Sequence, residues 1–438
     1  MNLRACVFFG LAIVAASCAS AQELTLSPYS RYAIGDIFSS TTTRNAAMGG
    51  IGIGGDNYFS VNRLNPASFG DILFTTMDVS VFGQQSAIRS NQGRAYPVTA
   101  GFHDLAFAFP SNKGPVFAMG FAPYSAVGYR ISTRENIQLQ DTSYIRNTDY
   151  IGSGGVNQAF FGMAFRMLNR RLKVGVTGEY LFGNIRYSWI NTVYRNDTLI
   201  STLHQIIRVQ EDVYLRGFNG HAGIMFHDTL NAKKLIMYRI GLTGEFSLDL
   251  LGDRFRTFVN GSAANGAILD TLQDVEEGFV QLPSKFGIGF SVNRLAHWTF
   301  GADVMLRDWK RFTYFDDTVK LNREIRIGVG GEWTPNYESN KYGAQINYRA
   351  GAYWQQSYVT FDGRPINDYG LTLGIGLPAG RKGNTRLNPG RATSRINLSV
   401  ELGRRGSLTE ELPLEELYAR VRLGFSVNDR WFIRRVVD

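Results

Sequence analysis

Cysteine is nearly absent from the sequence. The two that occur, Cys6 and Cys18, both lie near the N-terminus. The residues around them have a basic residue, Arg4, an apolar run, and the cleavage pattern Ala19-Ser20-Ala21, which together are typical of a secretory signal. We therefore predict a signal peptide over residues 1–21. The processed chain is then expected to have no disulfides, no thiolate nucleophile and no cysteine metal ligand.

Long apolar runs are missing as well. After the signal, no segment has the roughly 20 consecutive apolar residues that a membrane-spanning helix needs. This leaves either a soluble exported protein or a membrane β-barrel, because only helices and closed barrels satisfy their backbone groups in lipid. The composition favours the barrel, since 12 Pro stand against 48 Gly, 21 Tyr and 30 Phe. Aromatic girdles and small residues on pleated walls have this mixture.

Negative charge is in the minority, with a formal net charge of +9. A basic balance can indicate nucleic acid, but that requires a concentrated patch. Here the lysines and arginines are scattered through strand-like segments, so we expect no nucleic-acid partner. Membrane lipids and lipopolysaccharide are the expected partners, because their phosphates attract such a surface.

Patterns that carry catalysis are also missing. The five histidines show no H-E-x-x-H spacing, and no G-x-S-x-G elbow occurs. Residues 50–55 formally match G-x-G-x-x-G, but a dinucleotide site needs a strand before this pattern and a helix after it, and neither is indicated. We expect no enzyme, no catalytic residues, no metal site and no cofactor.

What the sequence does have, from residue 73 onward, is a period of two. In residues 285–292, large apolar side chains take one face while Gly, Gly and Ser take the other. Such segments number fourteen, and bacterial single-chain barrels have an even number of strands. We predict an all-β fold, a 14-stranded antiparallel transmembrane β-barrel over residues 73–438. The strands are expected near 73–88, 101–110, 115–132, 155–168, 171–192, 204–227, 234–252, 276–292, 297–312, 321–334, 342–359, 365–378, 393–405 and 416–428.

The second face of these strands is polar and charged. In the last strand, Arg420 and Arg422 alternate with an apolar stripe that runs from Ala419 to Val427. We expect the stripe to face lipid and the arginines to face a wet lumen. The same alternation predicts further lumen-lining residues, with both signs of charge available for ion pairs: Glu179, Arg239, Glu245, Asp303, Arg326, Arg349 and Glu401.

Residues 22–72 follow neither period. They contain a glycine-rich stretch and an Asn-Pro corner, which suit a compact irregular insert better than a strand or a helix. We predict that this segment is an N-terminal hatch, or plug, inside the lumen. Its motif residues are Gly49, Gly50, Gly52, Gly54, Asn65, Pro66 and Ala67.

These residues resemble the FadL-type outer-membrane transporters of hydrophobic compounds, in the form common in Bacteroidetes. The resemblance rests on Ala47-Met48-Gly49-Gly50 followed by Asn65-Pro66-Ala67, on residues 282–289, and on Asp308-Trp309-Lys310-Arg311-Phe312. It implies a fourteen-stranded barrel in the outer membrane of a Gram-negative bacterium, closed by an N-terminal hatch. It also implies a substrate path that leads to a lateral gap at a break in the third strand.

Pro123, in the third strand segment, cannot donate to a strand ladder. Pro123, Tyr124 and Gly128 are therefore candidates for a lateral opening, and a β-bulge explains the proline equally well. The charged lumen departs from the more apolar path of the family. The resemblance implies passive uptake of small hydrophobic or amphipathic compounds, such as a fatty acid or a detergent. The alternative is a non-transporting barrel that serves as an accessory subunit of an outer-membrane protein complex or of secretion machinery.

Overall fold

The structure is a computed structural model that describes most of the chain. The described residues are 23–55, 58–91, 93–111, 114–139, 142–195, 203–247, 249–261, 268–315, 317–339, 341–361, 363–379, 383–385, 388–391, 394–409 and 413–429. The signal peptide expected over residues 1–21 lies outside them.

Fourteen antiparallel strands form a closed barrel within the described residues, as predicted. Each strand pairs with the next, and β1 pairs with β14 from Thr75–Asp429 to Ser90–Leu414, which closes the ring. The strands are β1 (Thr75–Ser90), β2 (Val98–Phe109), β3 (Val116–Leu139), β4 (Thr142–Met167), β5 (Leu172–Arg195), β6 (Leu203–Asn231), β7 (Ile236–Ser247 and Leu250–Gly261), β8 (Ile268–Gln281 and Lys285–Arg294), β9 (Trp298–Asp308 and Thr313–Tyr314), β10 (Arg323–Trp333), β11 (Asn347–Phe361), β12 (Arg364–Ala379), β13 (Ser394–Leu408) and β14 (Pro413–Asp429).

Smaller elements complete the described chain. They are short strands at Asp36–Ile37, Gly93–Ala95, Asp317–Thr318, Gly383–Thr385 and Asn388–Arg391, the helix α1 (Thr43–Ala46), and 3-10 helices at Pro28–Arg31, Pro66–Asp71, Trp309–Arg311 and Tyr342–Gln345. None of the described helices has the length and apolar character to cross a membrane.

The two faces of the wall differ as the alternation predicts. On β8, Phe286, Ile288 and Phe290 are about half exposed on the outside, while Ser291 on the other face is buried. Leu371 and Leu373 of β12 are exposed in the same way. So much exposed apolar surface on a regular wall fits hydrocarbon better than water. The outer face is therefore the face that meets lipid.

Strands β3 to β6 are longer than predicted. They have 24, 26, 24 and 29 residues, whereas about 9–11 residues cross the hydrocarbon of a membrane. The prediction for β4 began near residue 155, but the strand begins at Thr142. The first residues of this strand include Arg146 and Asp149, and neither of their two faces is apolar. The period of two therefore gives no signal there. These four strands project beyond the membrane-crossing part of the wall.

Residues 309–312 bend into the barrel instead of continuing β9. Trp309 and Phe312 are fully buried, and the Trp309 ring stacks on that of Tyr358 with 4.2 Å between centroids. They belong to one apolar cluster with Tyr29 and Ile34 from the N-terminal part of the chain. The predicted strand over 297–312 is therefore wrong at its end, because a period of two cannot distinguish an inward turn from a wall residue.

Residues 23–74, which we call the N-terminal segment, lie inside the barrel. Hydrogen bonds join them to a backbone amide of β3 and to inward side chains of eleven other strands, β1, β2, β5, β7, β8, β9, β10, β11, β12, β13 and β14. A segment that contacts strands all around a closed ring reaches them only from within. The interior is therefore occupied by the chain's own N-terminal residues.

Candidate functional site

The glycine-rich stretch forms a turn that is held by one wall carboxylate. Gly49 and Gly50 adopt φ angles of 69° and 80°, in the region that glycine tolerates best. The turn then directs two backbone amides at Asp303 of β9, whose Oδ2 accepts from Gly52 N at 2.6 Å and from Ile53 N at 2.8 Å. The glycines allow this geometry, and Asp303 satisfies amides that would otherwise be buried without acceptors.

The Asn-Pro-Ala corner ties two parts of the segment together. The Asn65 side chain accepts from Ala67 N at 3.0 Å, which begins the 3-10 helix Pro66–Asp71. Its amide nitrogen donates to Ile53 O at 2.8 Å, at the end of the glycine-rich turn. Pro66 suits the first helical position because no intrahelical partner exists there for an N–H. The motif thus locks the corner against the turn.

The wall has glycines at several places where the backbone of this segment comes close to it. A Cβ atom at Gly175 of β5 would overlap the backbone of Pro66 and Ala67, and one at Gly241 of β7 would overlap the Ile53 carbonyl. The same holds for other wall glycines that face the backbone of the segment: Gly128, Gly289, Gly328, Gly330 and Gly351. Close backbone contact, more than turn formation, accounts for these glycines. They fit the segment to the wall with no room for a methyl group.

A buried ion-pair cluster anchors the end of the segment. Asp71 pairs with Lys173 of β5 and with Arg239 of β7, at 2.8 Å for Arg239, and all three are almost fully buried. Arg239 also donates to the Tyr58 hydroxyl at 2.5 Å. Burial alone would raise the pKa of the Asp71 carboxyl, but the two cations outweigh it and hold the pKa below its ordinary value.

A second cluster lies beside α1. Arg44 donates to both carboxylate oxygens of Glu332 at 3.0 and 3.1 Å, and Arg349 Nε donates to the same carboxylate at 2.6 Å. Arg349 Nη1 also donates to Asn397 Oδ1 at 2.8 Å. One wall glutamate is therefore shared by a cation from the segment and a cation from β11.

The remaining predicted lumen residues also face inward. Arg326 donates to Gly49 O at 3.2 Å, and Arg422 donates to Thr41 Oγ1 at 3.2 Å and to Glu401 at 3.3 Å. Arg420 pairs with the same Glu401 at 3.5 Å. All of these contacts lie around the N-terminal segment.

Glu179 and Glu245 belong to a separate group on β5 and β7. Asn219 donates to both carboxylates, at 3.2 and 3.0 Å respectively, and Lys285 and Arg307 pair with Glu245. The structure thus places all nine predicted lumen residues on the inner face. The alternation did not identify Lys285 and Arg307 as their partners, although both occupy inward positions of their strands.

The candidate lateral opening coincides with an incomplete strand pairing. The ladder between β2 and β3 runs only from Leu105–Phe121 to Phe109–Phe117. Beyond it, Val98–Asp104 of β2 pair only with β1 within the described residues. We call this place the β2–β3 seam. On the other side of β3, a register shift at Pro123 marks a bulge in the ladder with β4.

The N-terminal segment occupies the seam. Asp36 and Ile37 pair with Ala126 and Ser125 of β3 as a short strand. Phe38 N donates to Tyr124 O at 2.9 Å, and Gly128 approaches the Thr25 carbonyl so closely that a Cβ atom would overlap it. The three candidate residues Pro123, Tyr124 and Gly128 therefore lie where a piece of the segment substitutes for the missing wall pairing.

The lumen also has polar space on one side of the segment. A cavity of about 140 Å³ is lined by charged side chains that include Asp36, Asp368, Glu401, Arg405 and Arg422. Arg405 donates to Asp36 Oδ1 at 2.8 Å, so the charges are largely paired with one another. This lining differs from the apolar path that the resemblance implies.

Comparisons with known proteins agree with this geometry. The sequence profile of the BamG family matches residues 3–438. The chain belongs to the BamG family. No curated protein matches the sequence.

Solved structures show which fold this BamG-family chain has. The toluene transporter TodX of Pseudomonas putida is similar with a TM-score of 0.55 at 14% identity, over 90% of this chain and 99% of that one. A Pseudomonas aeruginosa FadL homologue gives 0.57 at 11% identity, over 90% and 98%. The CymD monoaromatic hydrocarbon channel gives 0.56 at 13% identity, over 90% and 98%. The BamG-family chain therefore has the FadL-type barrel fold, as the sequence motifs predicted.

Proposed function

We propose that the protein is an outer-membrane channel for passive uptake of small hydrophobic or amphipathic compounds, with a fatty acid as the substrate type. The N-terminal segment acts as the plug, and the β2–β3 seam is the lateral opening. The observation that carries the proposal is the seam itself, where the wall lacks strand pairing and the plug fills the gap with Asp36 and Ile37.

The seam supports a lateral route for a physical reason. Opening the wall between two fully paired strands breaks a continuous hydrogen-bonded ladder inside lipid, where exposed backbone groups are costly. At the seam, the short strand pairs only two residues of β3. Withdrawing it breaks far fewer hydrogen bonds than separating two full strands. Apolar compounds that leave there enter the hydrocarbon directly.

The similar structures support the substrate class. TodX is a toluene transporter, and CymD is a monoaromatic hydrocarbon channel.

The short connections between strands, such as residues 168–171 and 294–298, mark the periplasmic end of the barrel by the usual pattern of outer-membrane proteins.

Uptake into vesicles tests the proposal. Liposomes that contain the purified protein are expected to take up a panel of apolar compounds, including long-chain fatty acids and toluene, at least several times faster than empty liposomes. A fluorescent fatty-acid sensor inside the vesicles measures the rate for the fatty acids, and retention of radiolabelled toluene by the vesicles measures the rate for toluene. Uptake of the whole panel at the rate of empty liposomes would contradict the proposal.

A second function is favoured by the paired charges of the lumen. Asp71, Glu332 and Glu401 each bind two cations, and Asp71 and Glu332 thereby tie the plug to the wall. We propose as the alternative that the barrel is an accessory subunit of an outer-membrane protein complex. Purification from native membranes under mild conditions separates the two functions, because recovery of the barrel alone counts against the subunit.

A further inference from the structure

Three arginines lie together on the wall where β13, β14 and β1 meet. Arg404 pairs with Glu415 at 2.8 Å, and Arg89 pairs with the same carboxylate at 3.8 Å. Arg94 lies directly opposite Arg89, in the short strand that follows β1, and directly opposite residues share a face of the sheet. We call Arg89, Arg94 and Arg404 the outer arginine cluster. Its three cations share one carboxylate, so its charge is positive.

The cluster is on the outside of the barrel. Glu416, the next residue along β14, points into the lumen, where its Oε2 accepts from Ser27 of the plug at 2.6 Å. Neighbouring residues of a strand point to opposite faces, so Glu415 points outward. Glu415 is only 8% exposed because the arginines cover it, whereas Arg89 and Arg404 are themselves 43% and 53% exposed.

The cluster lies where the hydrocarbon of the outer leaflet ends. The outward positions of β14 are apolar from Leu417 to Val427, a stretch that matches the roughly 9–11 residues that cross a membrane. Glu415 is the next outward residue, at the end of β14 opposite to the short turns. Since the short turns mark the periplasmic end, the cluster is at the extracellular boundary of the membrane.

Two exposed tyrosines flank the cluster at this height. Tyr369 is paired directly with Arg404, and Tyr96 follows the short strand that contains Arg94. Their exposed fractions are 51% and 63%. Tyrosine at a membrane boundary presents an apolar ring face and a polar hydroxyl, which is a surface that suits a sugar ring.

A groove of about 720 Å³ runs from the cluster into the apolar wall. Arg404 and Tyr96 belong to its lining. The remaining outward lining side chains are mostly small or apolar and include Ala87, Ala352, Leu371, Leu402 and Ala419. Leu371 and Leu402 are 66% and 55% exposed. The groove therefore joins a cationic end to an apolar end within the lipid-facing surface.

The cluster has unused capacity to bind an anion. Arg89 Nε is buried without a hydrogen-bond partner, and no carboxylate of the described residues forms a salt bridge with Arg94. Like charges directly opposite each other destabilise a sheet, and a bound anion would relieve this repulsion. Arginine is especially suited to phosphate, which accepts two parallel N–H bonds from one guanidinium.

We propose that the outer arginine cluster and the groove form a binding site for the lipid A part of lipopolysaccharide. A phosphate of lipid A accepts from Arg89, Arg94 and Arg404, its sugars lie against Tyr96 and Tyr369, and one acyl chain lies in the groove. Lipopolysaccharide forms the outer leaflet and has phosphate, sugar and acyl chain in one molecule. The site is outside the lumen, so it does not depend on transport or on the plug.

Native mass spectrometry of the purified protein in detergent tests the ligand class. The protein is titrated with monophosphorylated lipid A, with dephosphorylated lipid A and with phosphatidylglycerol. Removal of the phosphate is expected to weaken binding by about tenfold or more, the size of at least one charge-assisted hydrogen bond. Phosphatidylglycerol has no sugar rings and is expected to bind more weakly than lipid A, and inorganic phosphate is not expected to displace lipid A. If either comparison lipid binds as tightly as lipid A, or if phosphate alone displaces it, the proposal is wrong.

Replacement of Arg94 locates the phosphate. Arg94→Gln is expected to weaken binding of lipid A by about tenfold and to leave binding of dephosphorylated lipid A unchanged. Arg216→Gln is the matched control, because Arg216 is also outward and 57% exposed but pairs with Asp253 on the β6–β7 side of the barrel. Equal losses in the two variants would assign binding to the basic surface as a whole and overturn the site.

Replacement of Ala419 tests the acyl end of the site. Ala419→Phe places a ring in the groove and is expected to weaken lipid A binding severalfold. Val421→Phe adds the same ring two residues along the same face, at a position that does not line the groove, and is expected to bind like the wild type. Wild-type affinity in Ala419→Phe, or equal losses in both variants, would contradict an acyl chain in the groove.

Discussion

Replacement of Asp71 by alanine is expected to lower the free energy of unfolding by about 3–5 kcal/mol, the cost of leaving buried charges without their partner. Lys173 and Arg239 converge on this carboxylate, and their side chains are 3% and 1% exposed. Neither gains water when Asp71 is removed. Urea titration of the protein folded into lipid vesicles measures the change.

The matched control is Asp228→Ala. Asp228 pairs with Arg171 at 3.3 Å, but Arg171 is 60% exposed, so its loss is expected to cost about 0–1 kcal/mol. An equal effect of the two substitutions would contradict the anchoring role of Asp71.

The same interaction makes the free energy of unfolding depend on pH. Because the folded pKa of Asp71 is lowered, its contribution is fully present above the unfolded pKa and is lost as the pH falls through the folded one. The Asp71→Ala variant lacks this component. The difference in stability between wild type and variant is therefore expected to shrink on acidification.

Replacement of Gly175 by alanine is expected to displace the plug from the wall. The new methyl group would overlap the backbone of Pro66 and Ala67, and a backbone cannot rotate away as a flexible side chain does. Overpacking of this kind costs about 1–3 kcal/mol when the structure absorbs it. Planar bilayer recording is expected to show ion conductance in the variant and closed wild-type protein, because a displaced plug leaves a polar passage.

Gly178→Ala is the control for this substitution. Gly178 lies three residues along the same strand on the outer face, and a Cβ atom there would meet nothing within 4 Å. It is expected to behave like the wild type. Conductance from both variants, or from neither, would contradict the close fit at Gly175.

The wall was predictable because its signal is local. Each strand repeats its faces every two residues, so Phe286, Ile288 and Phe290 identify their own orientation without any partner. Asp303 and Arg239 were assigned to the lumen by the same rule. What the rule does not supply is the partner, since Asp71 and Arg239 are 168 residues apart.

The interior was predictable only in outline. Gly50, Asn65 and Pro66 indicated an irregular insert, but nothing local shows that Gly175 and Gly241 face its backbone instead of another side chain. Phe312 has the spacing of an outward wall residue such as Leu306 and yet is fully buried beside Trp309. The environment of such residues depends on how two segments that are distant in sequence pack together. The periodicity of one strand carries no information about that packing.

A disulfide across the β2–β3 seam would hold the short strand of the plug on β3 and so keep the lateral opening closed. Ile37→Cys with Ser125→Cys joins two directly paired positions, which lie at a spacing that a disulfide spans. The two native cysteines lie in the predicted signal peptide, so the new pair would be alone in the processed chain.

The control is Leu373→Cys with Val400→Cys, a pair across β12 and β13. Liposomes with the oxidised Ile37→Cys/Ser125→Cys protein are expected to take up fatty acid no faster than empty liposomes. Reductant is expected to restore uptake, and the control is expected to be active in both states. Uptake at the wild-type rate by the oxidised protein would contradict a lateral opening at the seam.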